Sequence, residues 1–376
     1  MKFTIDCGLM LDTIQKLLYA VPRKTVIPAY ESFLIRLEGD RLTLTASNGE
    51  LTMRSTIETA PEYEKADGAC CVTAKLLKDL LDQIPDQPVS FETQTSDKGD
   101  YVGIEWFGGN SVLPLFNPDD YPVIPGVSKD ATAVSFETGP FMDAIGKTYR
   151  SAASDNVRPI LNGVNVEMHK DRTVLVASDT RVLVFVEIPG GCGAEGQFLI
   201  GSEYISALLR FNTADAETID IRYDENYIQM EIAGQTVICR KVVGKYPDWT
   251  KVVPKDSPVK ATLDREALLG AIKRMAIFSN TSNGVITMLF HNDKVEISAN
   301  DFAMGVSGKD SVPCKMEGEP VELKFKSWYF VDLLGKAFEK QETVVLGITD
   351  PRRAVSFDAE TKECPVRAIL MPCVAQ

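Results

Sequence analysis

Two stretches have residue types and spacings that can bind phosphate. Gly191-Cys192-Gly193-Ala194-Glu195-Gly196 spells the glycine pattern of a dinucleotide loop and follows a strand-like run. That chemistry needs the loop to open a helix, so that free backbone N–H groups meet the pyrophosphate. Here residues 197–200 read as another strand, and the pattern is a plain glycine loop. Gly146-Lys147-Thr148 resembles the end of a phosphate-binding loop, but the upstream glycine it requires falls on Phe141. Lys147 also lies inside a helical pattern. The two histidines, His169 and His291, sit in unlike strand-end contexts, which disfavours a zinc site or a histidine-based triad. Asp119-Asp120 has no clustered partner and reads as a solvated loop. Eight cysteines contain no CxxC pair: Cys70-Cys71 are adjacent and the rest scattered, the pattern of reduced core thiols. No catalytic residue, metal or cofactor is expected.

A chain of 376 residues can bury a large core and suggests two or three domains. No apolar run approaches the ~18 residues of a membrane span. Asp6 and Asp12 interrupt the apolar core a signal peptide would need. A cytoplasmic protein with no membrane partner is therefore expected. The net charge of −13 argues against phosphate binding on average, but it says nothing about where the charges sit.

Without chemistry to organise the chain, its periodicity does so. Three strand-like runs end in the same small polar turn: Ala46-Ser47-Asn48, Ala177-Ser178-Asp179 and Ala299-Asn300-Asp301, spaced by roughly a third of the length. Asn or Asp there bonds its own backbone and tolerates a turn. The surroundings repeat as well. In the first third, residues 9–20 carry Leu11, Ile14, Leu17 and Leu18 at helical spacing, and residues 32–37, 41–46 and 51–57 alternate as strands. A strand at 69–72, a helix at 74–83 with Thr73 as N-cap, and strands at 89–92, 101–106 and 111–115 complete the unit. The middle third repeats the order, with Pro140 expected at the first helical position and helices over 141–151 and 203–211. The last third places helices over 264–277 and 327–338 and a final strand over 366–371. Asp120-Tyr121-Pro122 and Lys245-Tyr246-Pro247-Asp248 close the first two units, and proline-rich linkers follow. The expectation is an α+β chain of three copies of one domain, at 1–126, 127–254 and 255–376. Each copy has two strand-helix-three-strand units, with both helices on one face of an antiparallel sheet.

Four phrases in this order and spacing carry a resemblance over essentially the whole chain. They are Val157-Arg158-Pro159-Ile160-Leu161-Asn162-Gly163, Val176-Ala177-Ser178-Asp179, Gly244-Lys245-Tyr246-Pro247-Asp248 and Ile369-Leu370-Met371-Pro372. The sequence resembles the bacterial DNA sliding clamps, the beta subunits of DNA polymerase III. The resemblance implies a head-to-tail homodimeric ring of six clamp domains, with twelve helices around double-stranded DNA and the sheets outside. It implies a non-catalytic processivity factor that holds DNA topologically and without sequence preference. Its partners would be the replicative polymerase catalytic subunit, clamp loader, translesion polymerases, mismatch-repair proteins and ligase.

The charge distribution can be tested on that expectation. Taken as 9–20, 74–83, 139–151, 203–211, 264–277 and 326–338, the six helical stretches hold eleven basic and eight acidic residues, so they are net positive while the rest of the chain carries −16. Within a Debye length of ~8 Å, that local charge matters more to DNA than a distant acidic rim. The lining cations would be Lys16, Lys75, Lys78, Lys147, Arg150, Arg210, Lys273, Arg274 and Lys336, with Lys24 on a DNA-contacting loop. Gly201-Ser202 stands where the family often has a basic pair.

The family's peptide pocket, between the second and third domains, maps onto Leu161, Ser178, Thr180, Arg181, Leu183, Pro247, Lys251 and Val252. Ala354, Ile369, Leu370, Met371, Pro372 and Cys373 would form the other wall, and Arg158 would lie beside it. Thr180-Arg181-Val182 replaces the family's Gly-His-Arg, and Cys373-Val374-Ala375-Gln376 a shorter Met-Arg-Leu ending. The dimer seam would pair Leu80 and Leu113 with Ile277 and Phe278. Two rival readings predict different behaviour. A nucleotide hydrolase built on repeated units would need a divalent metal and turn over. A scaffold that binds only protein would be monomeric and ignore circular DNA.

Overall fold

Strands form where apolar residues alternate. Phe33, Ile35 and Leu37 are buried while Arg36 and Glu38 face solvent, the two-residue period of a sheet packed on one face. Helices form where the period lengthens: Met10, Ile14 and Leu17 are all fully buried along one stripe. The computed structural model describes residues 1–59, 63–97, 99–155, 157–211, 213, 216–280, 283–291, 293–359 and 366–373.

Among these residues the strand-helix-three-strand order occurs six times. The first repeat holds β1 (Lys2–Asp6), α1 (Cys7–Leu17), β2 (Ser32–Glu38), β3 (Arg41–Ser47) and β4 (Leu51–Glu58). Its second half is β5 (Gly68–Thr73), α2 (Ala74–Leu81), β6 (Pro88–Ser96), β7 (Gly99–Trp106) and β8 (Gly109–Phe116). The middle repeat begins with β9 (Thr132–Glu137), α3 (Thr138–Thr148), β10 (Gly163–Met168), β11 (Arg172–Ser178) and β12 (Val182–Pro189). It continues with β13 (Gly196–Gly201), α4 (Ser202–Leu208), β14 (Thr218–Tyr223), β15 (Tyr227–Ile232) and β16 (Gln235–Arg240). The last holds β17 (Val259–Asp264), α5 (Arg265–Ala276), β18 (Val285–His291), β19 (Lys294–Asp301) and β20 (Val306–Glu317). It ends with β21 (Val321–Lys326), α6 (Ser327–Asp332), β22 (Thr343–Ile348), β23 (Val355–Ala359) and β24 (Val366–Leu370).

The expected elements are all present, with shifted ends. Asp6 and Asp264 cap α1 and α5 by accepting from Leu9 and Ala267 N–H. Thr73 holds the N-cap position of α2, but its side chain makes no capping bond. Helix α3 starts at Thr138, so Pro140 is its third residue rather than its first. Proline is tolerated there because the first-turn N–H groups have no intrahelical partners. Helix α6 passes into a π-helical turn, Leu333–Ala337. The seven described cysteines are free, five of them buried. Burial, reinforced by Cys71, pushes the Cys70 thiol up to about 12, so it stays protonated and unreactive.

The first strand of each half pairs with the other half: β1 with β6, β2 with β5, β9 with β14, β10 with β13, β17 with β22 and β18 with β21. Sheets also continue from one repeat into the next. Strand β4 pairs antiparallel with β16, from Leu51↔Cys239 to Ser55↔Gln235, and β12 with β24, from Val182↔Leu370 to Val186↔Val366. The chain therefore divides into two compact units rather than at the repeat limits. One comprises Met1–Thr138 with Glu203–Lys241; the other comprises Gly139–Ser202 with Val242–Gln376. Each contains one twelve-stranded antiparallel sheet. The middle repeat divides its strands between the two sheets, because ladder hydrogen bonds tie four to each neighbour.

Candidate binding pocket and helix-borne cations

The turn from β11 to β12 is built by one carboxylate. Asp179 Oδ1 accepts from Arg181 N–H at 2.7 Å and Val182 N–H at 2.8 Å, while its Oδ2 accepts from the Tyr329 hydroxyl at 2.7 Å. The loop is thereby closed on itself and fixed to α6. Ser178 Oγ donates to the Val182 carbonyl and accepts from Thr180 N–H. Thr180 is held at φ 79°, a region unfavourable to a β-branched residue.

Beside this turn, the β12–β24 ladder sets Leu183 opposite Ile369. Both belong to a buried cluster with Leu161, Phe185, Tyr246 and Trp249. Trp249 packs on Phe185 with ring centroids 4.7 Å apart, and its indole N–H donates to Glu167 at 2.9 Å. The surface of the cluster is a cavity of about 260 Å³. Ile369 and Met371 line it, while Leu370 between them is fully buried in the core. Strand alternation accounts for this: one side of the terminal run closes the fold and the other is left for a partner.

Of the residues mapped to the pocket, Leu161, Ser178, Thr180, Arg181, Leu183, Pro247, Val252, Ala354, Ile369 and Met371 line it, with Arg158 at the edge. Lys251, Leu370, Pro372 and Cys373 do not. Lys251 pairs at 3.0 Å with Asp248 at the rim without lining the cavity itself, and the Cys373 N–H donates to the Lys324 carbonyl. Residues 374–376 lie outside the described residues. Val182, Tyr246, Asp248 and Trp249 also line the cavity and were not expected there. For the last three the signal lay in the closing phrase: an aromatic residue on each side of Pro247-Asp248 is an unusual content for a linker. Hydrogen bonds from Thr250 and Lys251 hold the Asp248 carboxyl below its ordinary range. The pocket thus combines an apolar floor with a rim of Arg158, Arg181 and Asp248, suited to an extended apolar segment with polar ends.

The proposed lining cations fall into two groups. Lys24, Lys75, Arg150, Arg210, Lys273 and Lys336 are exposed. Arg210 lies over the Tyr19 ring at 4.5 Å and Arg150 over Tyr149 at 5.3 Å, which limits their side-chain motion. Lys16, Lys78 and Arg274 are engaged with Asp12, with Asp79 and Asp82, and with Asp310. Lys147 departs from the expectation: its side chain is 6% exposed and bonded at 2.5 Å to Asp143, which also binds Lys340. It serves packing and is not displayed for a ligand. Gly201 ends β13 and Ser202 begins α4, so no cation stands there.

Both sheets have an edge left open part-way. Residues 109–114 of β8 pair only with β7, and residues 306–312 of β20 only with β19, among the described residues. Ile277, beyond α5, is 76% exposed, while Phe278 lies over Gly308 of β20, where any side chain would collide with its ring. Leu80 is partly exposed. Leu113 of β8 is instead buried, and its neighbour Val112 is an apolar residue displayed on that edge.

Family models for the N-terminal, central and C-terminal domains of the DNA polymerase III beta subunit match residues 1–125, 136–248 and 250–373. The chain is similar to the beta sliding clamp of Chlamydia pneumoniae, with 25% identity over 93% of each chain. Its fold is similar to that of a sliding clamp (DNA polymerase III subunit beta) from Pseudomonas aeruginosa bound to griselimycin, with TM-score 0.91, 22% identity and full coverage of both chains. The beta subunit from DNA polymerase of Streptococcus pyogenes gives the same TM-score and full coverage at 20% identity.

Proposed function

The chain belongs to the DNA polymerase III beta-subunit family, the bacterial sliding clamps, and on that premise we propose how its surfaces divide the work. It is a non-catalytic processivity subunit. Its three clamp domains are set at 1–126, 127–254 and 255–376, and two chains join head to tail into a ring, domain 1 of one against domain 3 of the other. The half-open edges of β8 and β20 support this seam, since an unpaired strand edge is a template for another chain. Ile277 and Phe278 would meet Val112 and Leu80 there.

Double-stranded DNA would be held by topology and by weak phosphate contacts from Lys24, Lys75, Arg150, Arg210, Lys273 and Lys336. Such a grip suits sliding, because tight contacts would hold the ring in place. The work of the protein is cytoplasmic and touches no membrane.

The observation that carries the proposal is the apolar cavity floored by Leu183 and Ile369 and edged by Met371. A peptide placing one Leu and one aromatic side chain there gains roughly 3–6 kcal/mol from burial. With backbone hydrogen bonds added and ordering costs subtracted, affinity is about micromolar, near −8 kcal/mol. That strength lets the replicative polymerase catalytic subunit, clamp loader, translesion polymerases, mismatch-repair proteins and ligase use one site in turn. The test is retention on DNA: loaded protein should stay on a nicked circle and run off when the circle is cut. The Ile277→Asp, Phe278→Asp double variant should be monomeric and should not be retained at all. Equal retention on circle and line would rule out encirclement.

A further inference from the structure

The sheet of the first repeat carries, on the face away from its helices, a cleft lined by none of the residues assigned above to DNA or the docking peptide. On β2, β3 and β4, Arg36, Arg41 and Arg54 surround Thr43, Thr45 and Thr56 in a cleft of about 420 Å³. The register puts all six on one face: Thr43 stands between Arg36 and Thr56, and Thr45 is opposite Arg54. Arg41 and Arg54 make no ion pair among the described residues, and Arg36 has one exposed pair, at 3.7 Å with Glu38. The nearby acids are Glu38 and Glu58, the cross-strand neighbours of Arg41 at one rim.

The same face in the second repeat is closed by the chain itself. There Glu167, Val174, Val176 and Phe185 hold the positions of Arg36, Thr43, Thr45 and Arg54, and Trp249 covers them. Counting from the shared Tyr-Pro, the residue at the place of Trp249 is Ile124, which forms only one wall of the cleft. Where the second repeat has an apolar floor and an indole lid, the first has guanidinium groups and hydroxyls open to a ligand.

We propose that this cleft binds a small polyphosphate anion, of the class of pyrophosphate and nucleoside triphosphates. Each guanidinium presents paired N–H groups that match two phosphate oxygens. The Thr43 and Thr56 hydroxyls lie 3.3 Å apart, and whichever donates, one hydroxyl hydrogen remains for an outside acceptor. A single carboxylate satisfies only one fork, whereas a chain of phosphates offers acceptors and charge to all three. The volume is that of a small-ligand site.

Calorimetry on the full chain at low salt, with pyrophosphate and with ATP as separate probes, tests this. Both should bind saturably at one site per chain; tighter binding of ATP would assign a contact to the nucleoside. Arg54→Ala and Arg36→Ala should each weaken binding about tenfold or more, since each removes charge-assisted hydrogen bonds. Arg54→Lys, which keeps the charge and loses the fork, should fall between. The pair Arg54→Phe with Ile124→Trp copies the second repeat and should abolish binding. Arg172→Ala, at the place of Arg41 in the second repeat, should change nothing. Peptide docking at Leu183 should survive in every variant, and unchanged thermal unfolding reports that the first repeat is folded. Absence of saturable heat with either probe, equal loss in Arg172→Ala, or binding of poly-glutamate in place of both phosphates overturns the proposal.

Discussion

At β4 and β16 the first repeat joins its sheet to the second, and at β12 and β24 the second joins the third. Both junctions have the same turn. Asn48 Oδ1 accepts from Glu50 and Leu51 N–H at 3.0 and 2.8 Å, as Asp179 does from Arg181 and Val182. Ser47 and Ser178 each bond the carbonyl four residues on. A short 3-10 turn beginning at Pro28 or Pro159 precedes β2 or β10. Yet the side chains around the turn differ. Leu161 lines the pocket, whereas its counterpart Tyr30 sets its ring edge-on to Tyr121 with centroids 6.0 Å apart. Leu183 and Met371 correspond to Thr52 and Arg240 by register. The repeat supplies a frame, and a handful of side chains decide whether it becomes a docking site or an ordinary junction.

The largest effect should come from putting charge on the apolar floor. Leu183→Glu with Met371→Glu should weaken a Gln-Leu-x-Leu-Phe-type peptide by about 100-fold or more, because buried carboxylates lack partners there. Arg240→Glu at the first junction should change it less than about twofold. Calorimetry with the full chain checks both, and comparable losses would mean that the two junctions are alike.

Exchanging the side chain that fills or leaves the space comes next. Leu161→Tyr should cost about tenfold in peptide affinity with the fold intact. Tyr30→Leu should leave a void at the first junction and cost roughly 1–2 kcal/mol of stability by denaturant unfolding. If Leu161→Tyr binds peptide normally, the pocket lies elsewhere.

The helices offer the same comparison with smaller stakes. Asp12–Lys16 in α1 and Asp143–Lys147 in α3 are the same i,i+4 pair, but only the second is buried and shared with Lys340. Burial opposes ionisation of Asp143, yet hydrogen bonds from Lys147 and Lys340 outweigh it and hold the carboxyl below its ordinary 3.8. Its contribution is thus complete above that value and lost as pH falls further, through the lowered folded pKa. Asp143→Asn should cost about 1–2 kcal/mol at neutral pH, and the difference from wild type should fade at strongly acid pH. Asp12→Asn, on an exposed pair, should cost well under about 1 kcal/mol.

The smallest effect concerns the turn position itself. Gly49 sits at φ 91°, natural for glycine, and Thr180 at φ 79° in the matching place. Thr180→Gly should relieve strain and raise stability by roughly 0.5–1 kcal/mol. Gly49→Thr should lower it by at least as much, since its Cβ would also come within 3.2 Å of the Tyr30 hydroxyl. Thermal unfolding of both variants gives the sign.

The sequence by itself determined the local and periodic features. Alternation of apolar residues located strands of the first two repeats, helical patterns the six helices, and the recurring Ala-Ser-Asn, Ala-Ser-Asp and Ala-Asn-Asp turns the repeat, because each depends on neighbours a few positions away. Only the resemblance to the family assigns Leu161, Leu183, Ile369 and Met371 to the pocket, and they line the cavity. The tertiary structure decided what depends on partners far along the chain. Trp249 and Tyr246 became pocket walls because the linker folds back onto β11 and β12. Leu370 turned inward, and Lys251 paired with Asp248 at the rim. Lys147 was lost as a surface cation because it is buried against Asp143, which is shared with the distant Lys340. Leu113 faced the buried side of β8 and left Val112 outside. Strand phase at a ladder between remote segments sets which side chain faces a site, and burial sets which charge is free. Both are fixed by contacts between remote segments, which local sequence patterns do not record.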